Sequence, residues 1–238
     1  MHRILGMVSR PACGGAASVA PMTTSVAEDL LLLLLDDASG ATHGSTYVAP
    51  GLGGALLVEL ALEGRVEVVE HGGLLRRQGV RALGAAPDDD LLAGAWSEVA
   101  RKERSPQHLV GRLGRGLEEP LAQRLIDQGV LERHDDTVLG LFHRTRWPAR
   151  DGSREAAVRR DLASVLVAGA EPDRRTAALV ALLLAVGRAH KVVDHEGLRA
   201  SRVRARARSV ARATECEWAT QGVKDAIAAA GSGSFPGG

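Results

Sequence analysis

Six consecutive leucines, Leu30–Leu35, lie between two acid pairs, Glu28-Asp29 and Asp36-Asp37. The run falls far short of the roughly 18–20 apolar residues that span a bilayer, so it reads as a core helix. Its start is marked by Ser25 with Glu28 three residues on, the pattern of a capping box. A helix is therefore expected from about Val26 to Leu35, ending before Ser39-Gly40, with Asp36-Asp37 solvated in a loop. A second apolar run, from Thr176 to Val186, is also short and ends in charge. No segment of the chain qualifies as a membrane span, and the chain reads as a soluble, cytoplasmic protein whose membrane contact, if any, is peripheral.

Other elements follow from punctuation and period. Residues 42–50 read as a loop, and a helix is expected over about Gly54–Glu63, broken by Gly64. Arg65–Glu70 alternates in the manner of a half-buried strand, His71-Gly72-Gly73 forms a turn, and residues 74–80 return as a second strand. Pro87-Asp88-Asp89-Asp90 opens a helix holding Leu91, Leu92, Trp96 and Val99, its acids at the positive end of the dipole. Helices over 107–112 and 117–128 come next. Val130–Arg133 and Thr137–Phe142 then flank His134-Asp135-Asp136 as a hairpin. A helix–glycine–hairpin unit thus occurs twice. From Ser153 onward the pattern is helical, over about 153–168, 174–193, 197–213 and 216–230.

The chain has 238 residues, of which 45% are hydrophobic but only 3% aromatic. Leucine and alanine favour helix, and the scarcity of Tyr and Phe disfavours a sheet. The expected fold is mainly α, a single globular helical domain with small β-hairpins over residues 23–230. Residues 1–22 read as a disordered extension, with Met22 as an alternative start, and 231–238 as a flexible tail. The Ala, Arg, Gly and Val bias points to a GC-rich, bacterial genome. Two cysteines, Cys13 and Cys216, give no disulfide framework.

A formal net charge of +1 means that any anion site has to be local. Arg101, Lys102, Arg104, Arg112, Arg115 and Arg124 form one basic cluster. Arg144, Arg146, Arg150 and Arg154 form a second around Trp147. Guanidinium forks suit phosphate oxygens, and a tryptophan suits a headgroup boundary. Taken singly, each of these arginines is also what a solvated helix face carries. Arg202, Arg204, Arg206, Arg208 and Arg212 recur in steps of two, which spreads them over several faces of a helix. His190, Asp194, His195 and Glu196 lack metalloprotease order and a third ligand, so they read as a helix end. There is no Walker motif, dinucleotide fingerprint or nucleophile elbow. Gly51-Leu52-Gly53-Gly54 has no strand before it and makes a poor phosphate loop. No catalytic residue, metal or cofactor is expected.

Four segments in this order, Glu28–Asp37, Gly51–Val66, Leu121–Leu131 and Asp173–His190, resemble the Golgi phosphoprotein 3 family, whose eukaryotic members bind phosphatidylinositol 4-phosphate. The likeness runs from about Ser25 to Ala229. It implies a peripheral membrane adaptor without enzymatic activity. It also implies a headgroup pocket built from a loop Trp, an Arg in a Gly-Leu-Arg-Gly stretch and two Arg three apart. On this chain Tyr47 is the nearest loop aromatic and Gly53 takes the motif's Arg position. Arg115 matches one of the paired arginines and Glu118 stands at the other, with Arg112 as a substitute. One basic ligand of three is retained, and each lost charge-assisted hydrogen bond is worth about 1.5–3 kcal/mol. The resemblance also implies self-association through a projecting hairpin, here Val130, Thr137, Val138, Leu139, Leu141 and Phe142. Two other readings stand beside it: a winged-helix-like nucleic-acid binder using Leu121–Phe142, and a protein-interaction scaffold without lipid binding.

Overall fold

A computed structural model describes residues 25–36, 39–42, 45–72, 77–138 and 142–232. In chain order these form α1 (Val26–Leu34), α2 (Ser45–Leu62), a hairpin of β1 (Val66–His71) and β2 (Arg77–Ala82), α3 (Asp90–Arg101), α4 (Pro106–Leu113) and α5 (Glu118–Asp127). A second hairpin follows, β3 (His134–Val138) with β4 (Phe142–Arg146), then α6 (Ser153–Leu166), α7 (Arg174–Ala185), α8 (Ala200–Ala213) and α9 (Glu217–Ser232). Both sheets are two-stranded and antiparallel. The fold is mainly α with small hairpins. The readings made for residues 1–22, Leu139, Leu141, Asp37 and most of the 231–238 tail lie outside the described residues.

Helix α2 is the axis of the molecule. Residues 51–60 are all buried, and α1, α4, α7 and α9 pack around it. A helix apolar on all sides has to be enclosed in this way. Its glycines set the approach of those neighbours. A Cβ on Gly51 meets Val186 Cγ1 at 3.0 Å, and one on Gly54 meets Leu182 Cδ2 at 3.3 Å with Val223 closer still. The Gly51–Gly54 stretch is therefore a packing junction.

The leucine run is helix α1, buried throughout and held at its start by charge. Glu28 and Asp29 are each 4% exposed. Arg154 donates to Asp29 Oδ1 from Nε at 3.0 Å and from Nη2 at 2.9 Å, and Arg175 Nη2 reaches Asp29 Oδ2 at 2.6 Å. Arg154 also pairs with Glu28 at 2.9 Å. The capping box is only half formed. Ser25 is the N-cap and its hydroxyl accepts from the Ala27 N–H at 3.2 Å, while the Val26 N–H is received at 3.1 Å by Glu59 of α2. Glu28 is drawn to Arg154 because a buried carboxylate needs a cation more than a cap.

Two helix boundaries differ widely from the sequence reading. Helix α2 begins at Ser45, nine residues before the expected 54, and includes Pro50. One intrahelical hydrogen bond, to the Thr46 carbonyl, is lost at that proline. Burial of Val48 and cover for Tyr47 in the early turns offset it. Helix α7 stops at Ala185 rather than 193 because Gly187, at φ 73°, closes a Schellman turn. Its N–H bonds Leu184 O at 3.1 Å and the Arg188 N–H bonds Leu183 O at 2.8 Å.

The second hairpin is shifted along the chain from the expected Val130–Arg133 and Thr137–Phe142: its strands are β3 and β4, so His134-Asp135-Asp136 is strand, not turn, and Val130 precedes the hairpin. Asp135 pairs with Thr145 and Asp136 with Arg144 in the ladder, and Asp136 also binds the Arg146 side chain. The Asp136–Arg146 ion pair and the hydrogen bond from the Thr145 hydroxyl to Asp135 Oδ1 at 2.8 Å support the register of this polar ribbon. Trp147, read as a headgroup-boundary residue, is 7% exposed and belongs to the core, where its large apolar surface is better sheltered.

Candidate functional site

Arg112 and Arg115 come together at the end of α4. Ser105 caps that helix, Pro106 opens it, and Gly114 ends it. Arg115 then sits in a short turn with Gly116 at φ 69°, before α5 begins. The turn is seated on α2. A Cβ at Gly114 lies 2.5 Å from the Ala49 carbonyl carbon, and one at Gly53 lies 2.7 Å from the Gly114 nitrogen. Glycine at 53 and 114 lets the α4 terminus press directly on the α2 backbone.

The two arginines form a ridge between two shallow clefts. One, of about 440 Å³, is lined by Glu98, Arg112 and Arg115 over an apolar floor of Leu56, Leu91 and Leu113. The other, of about 520 Å³, shares both arginines and adds His108 of α4 with Ala226 and Ala229 of α9. Arg115 is exposed and makes no hydrogen bond or ion pair with any other described residue. Arg112 Nε binds Glu98 Oε1 at 2.5 Å. Arg104 shares the same oxygen at 2.6 Å, and Arg101 reaches Glu98 at 3.5 Å. The hydrogen bond from Arg112, with the charges of Arg112, Arg104 and Arg101, holds the Glu98 carboxyl below its ordinary value against the opposing effect of burial. Three guanidiniums answer one carboxylate and a fourth answers none, so the ridge carries a local positive excess.

The remaining candidates are placed differently. Gly53 is buried on the α2–α4 seam and has no surface to offer a ligand. Tyr47 is half-buried in the first turn of α2, against the core and not in either cleft. Glu118 accepts a hydrogen bond from the Thr42 side chain, and burial pushes its carboxyl up. Of the first basic cluster, Arg124 is committed to Asp89 at 2.5 Å. In the second, Arg154 is committed to α1 and Arg146 to Asp136.

Glu98 is the site residue that sequence reading missed. Its signal was present in Arg101, three residues on, where an acid and a base share a helix face.

No group of metal-binding residues occurs among the described residues. His195 Nε2 donates to the His190 carbonyl at 2.5 Å, closing the turn after α7. Burial pushes the Cys216 thiol up to about 11, which leaves it protonated at neutral pH. Among the described residues no helix is long and apolar enough to cross a membrane.

No curated protein matches this chain. The family model for Golgi phosphoprotein 3 (GPP34) matches residues 26–230, from the first residue of α1 into α9. That span takes in the leucine helix, the glycine junction of α2 and the α4–α5 turn that carries Arg115. The chain belongs to the Golgi phosphoprotein 3 (GPP34) family.

Proposed function

We propose that this protein is a peripheral membrane adaptor that binds an anionic phospholipid headgroup on the Arg112–Arg115 ridge. Its mechanism is recruitment, with no bond made or broken and no cofactor or metal used. The observation that carries this reading is Arg115, an exposed guanidinium with no partner among the described residues, beside three arginines that share one carboxylate. A phosphomonoester brings nearly two negative charges and three acceptor oxygens, which suits such a fork. The headgroup named is phosphatidylinositol 4-phosphate, by resemblance to the family. Gly53 contributes by admitting α4, and Tyr47 by its place in α2 near that seam.

The nucleic-acid alternative finds less support. Its recognition helix, α5, starts at Glu118-Glu119, and its Arg124 is taken by Asp89, leaving few cations for phosphates.

Liposome co-sedimentation tests the proposal. Wild type should pellet selectively with vesicles containing phosphatidylinositol 4-phosphate, and Arg115→Glu should lose that preference by tenfold or more, as expected for about 1.5–3 kcal/mol per charge-assisted bond. Equal pelleting of wild type and variant would remove the headgroup site. Absence of any pelleting would leave a protein-interaction scaffold.

A further inference from the structure

Helix α8 carries a second basic surface, separate from the ridge. Val203, Ala207, Val210 and Ala211 face inward and fix the helix's rotation. Arg204, Arg208 and Arg212 then follow one another at steps of four on the outer face, about 6 Å apart. All three are exposed, and none of their side chains makes a hydrogen bond or ion pair with another described residue. The sequence reading spread the α8 arginines over several faces, which holds for Arg206. That side chain turns aside and donates to the carbonyls of Val165 and Gly169, closing the end of α6. Arg202 also lies off the line, two residues before Arg204, and Arg204, Arg208 and Arg212 make a continuous stripe.

The stripe is extended at its N-terminal end by the turn after α7. His190 in that turn is pushed below its ordinary value by burial first, and then by Arg204, Lys191, His195 and Arg188 around it. Cations from two segments therefore converge there. Arg188 Nε is buried without a hydrogen-bond partner among the described residues. The turn also carries two exposed acids, Asp194, which accepts from the Glu196 N–H at 3.0 Å, and Glu196 itself.

We propose that the Arg204–Arg208–Arg212 stripe, with exposed Lys191 at its end, docks on an anionic phospholipid leaflet as an attachment separate from the headgroup site. The choice of a bilayer rests on the peripheral-membrane reading above. It is favoured by the row of three exposed guanidiniums beside the small side chains of Ser201 and Ala205, while Ser209 and Ala213 border a cleft of about 490 Å³ that also takes in Glu171, Asp173 and Glu215. A leaflet offers phosphates at any register to such a row. No aromatic side chain lies on the stripe to stack on a nucleic-acid base.

The test uses the full chain and the triple variant R204S/R208S/R212S, with thermal melts to confirm that each folds. Vesicles are of phosphatidylcholine alone, with phosphatidylserine, or with phosphatidylinositol 4-phosphate. Each basic residue near an anionic surface contributes enough that losing three should weaken binding to phosphatidylserine vesicles on the order of a hundredfold. The dependence on salt should become shallower as well. If the triple variant melts early, Arg208→Ser alone should still lose about fivefold. Binding of the triple variant to phosphatidylserine vesicles at wild-type strength overturns the proposal, even if Arg115→Glu abolishes phosphoinositide preference. Conversely, α8-dependent binding to phosphatidylserine without any phosphoinositide preference removes the headgroup site and leaves this surface standing. Wild type that ignores phosphatidylserine vesicles but retains duplex DNA through α8 overturns it in favour of nucleic acid.

Discussion

Gly53 occupies the position where the family resemblance places an arginine, and the backbone around it leaves no room for one. A side chain there runs into the Gly114 nitrogen at 2.7 Å and comes nearer still to the Val110 carbonyl oxygen. These are main-chain atoms of α4, which cannot turn aside as a flexible side chain can. A Gly53→Arg variant should therefore be a packing mutant and not a restored ligand. Its urea midpoint should fall, with a loss of at least about 1–3 kcal/mol, and phosphoinositide binding should not improve. A stable variant with stronger binding would show that α4 can shift, and that the seam is looser than its geometry. Glu98 shows the same dependence on neighbours. Its sequence context is an ordinary helix surface, whereas in the fold it holds three arginines at once.

The α1–α2 pair shows how an element is held by a few polar contacts inside an apolar body. Glu59 of α2 accepts from the Ser25 hydroxyl at 2.8 Å and from the Val26 N–H at 3.1 Å, so α1 is capped from outside itself. Burial pushes the Glu59 carboxyl above its ordinary value of 4.5, more than the hydrogen bonds from Ser25 and Val26 and the charge of Arg175 pull it down. The folded state then holds that proton more tightly than the unfolded chain does. This contribution to stability is complete below about 4.5 and is lost as pH rises through the raised folded value. Glu59→Gln keeps an acceptor for Ser25 and Val26 but removes the titration. Denaturation of the variant across this window should show a smaller fall in stability with rising pH than wild type. An unchanged slope would place the titration elsewhere. Arg154 and Arg175 complete the clamp, since the nearly buried Asp29 would otherwise lack compensation.

At the scale of the molecule, two basic surfaces and one polar ribbon stand out from the helical body. The β3–β4 ribbon packs chiefly against itself, anchored at its base by the Leu131–Ala149 bridge. A two-stranded ribbon of this kind leaves both edges unpaired, and such edges invite a second chain. If it carries self-association, a V138S/F142S variant should sediment as a smaller species than wild type at the same concentration. Avidity would then strengthen weak single-site lipid binding. A wild type that is monomeric at every concentration would end that role.

Much of the element map was legible in the chain. Ser25, Asp89, Ser105 and Asp173 each cap the helix that the sequence placed after them, because their oxygens supply acceptors that free N–H groups require. The helix–glycine–strand echo also has a local cause, since Gly64 and Gly129 both take positive φ and end their helices in the same way. These features depend on neighbours along the chain, and so the sequence by itself determined them, together with the mainly α fold and the buried leucine helix. Partner choice among charges was decided only in the tertiary structure. Arginines that look equivalent in sequence divide into Arg124 on Asp89, Arg112 on Glu98, Arg154 on α1, and Arg115 with no partner among the described residues. Charge pairing acts over a few ångströms between elements far apart in the chain, and packing of the α2 glycines sets which elements come that close.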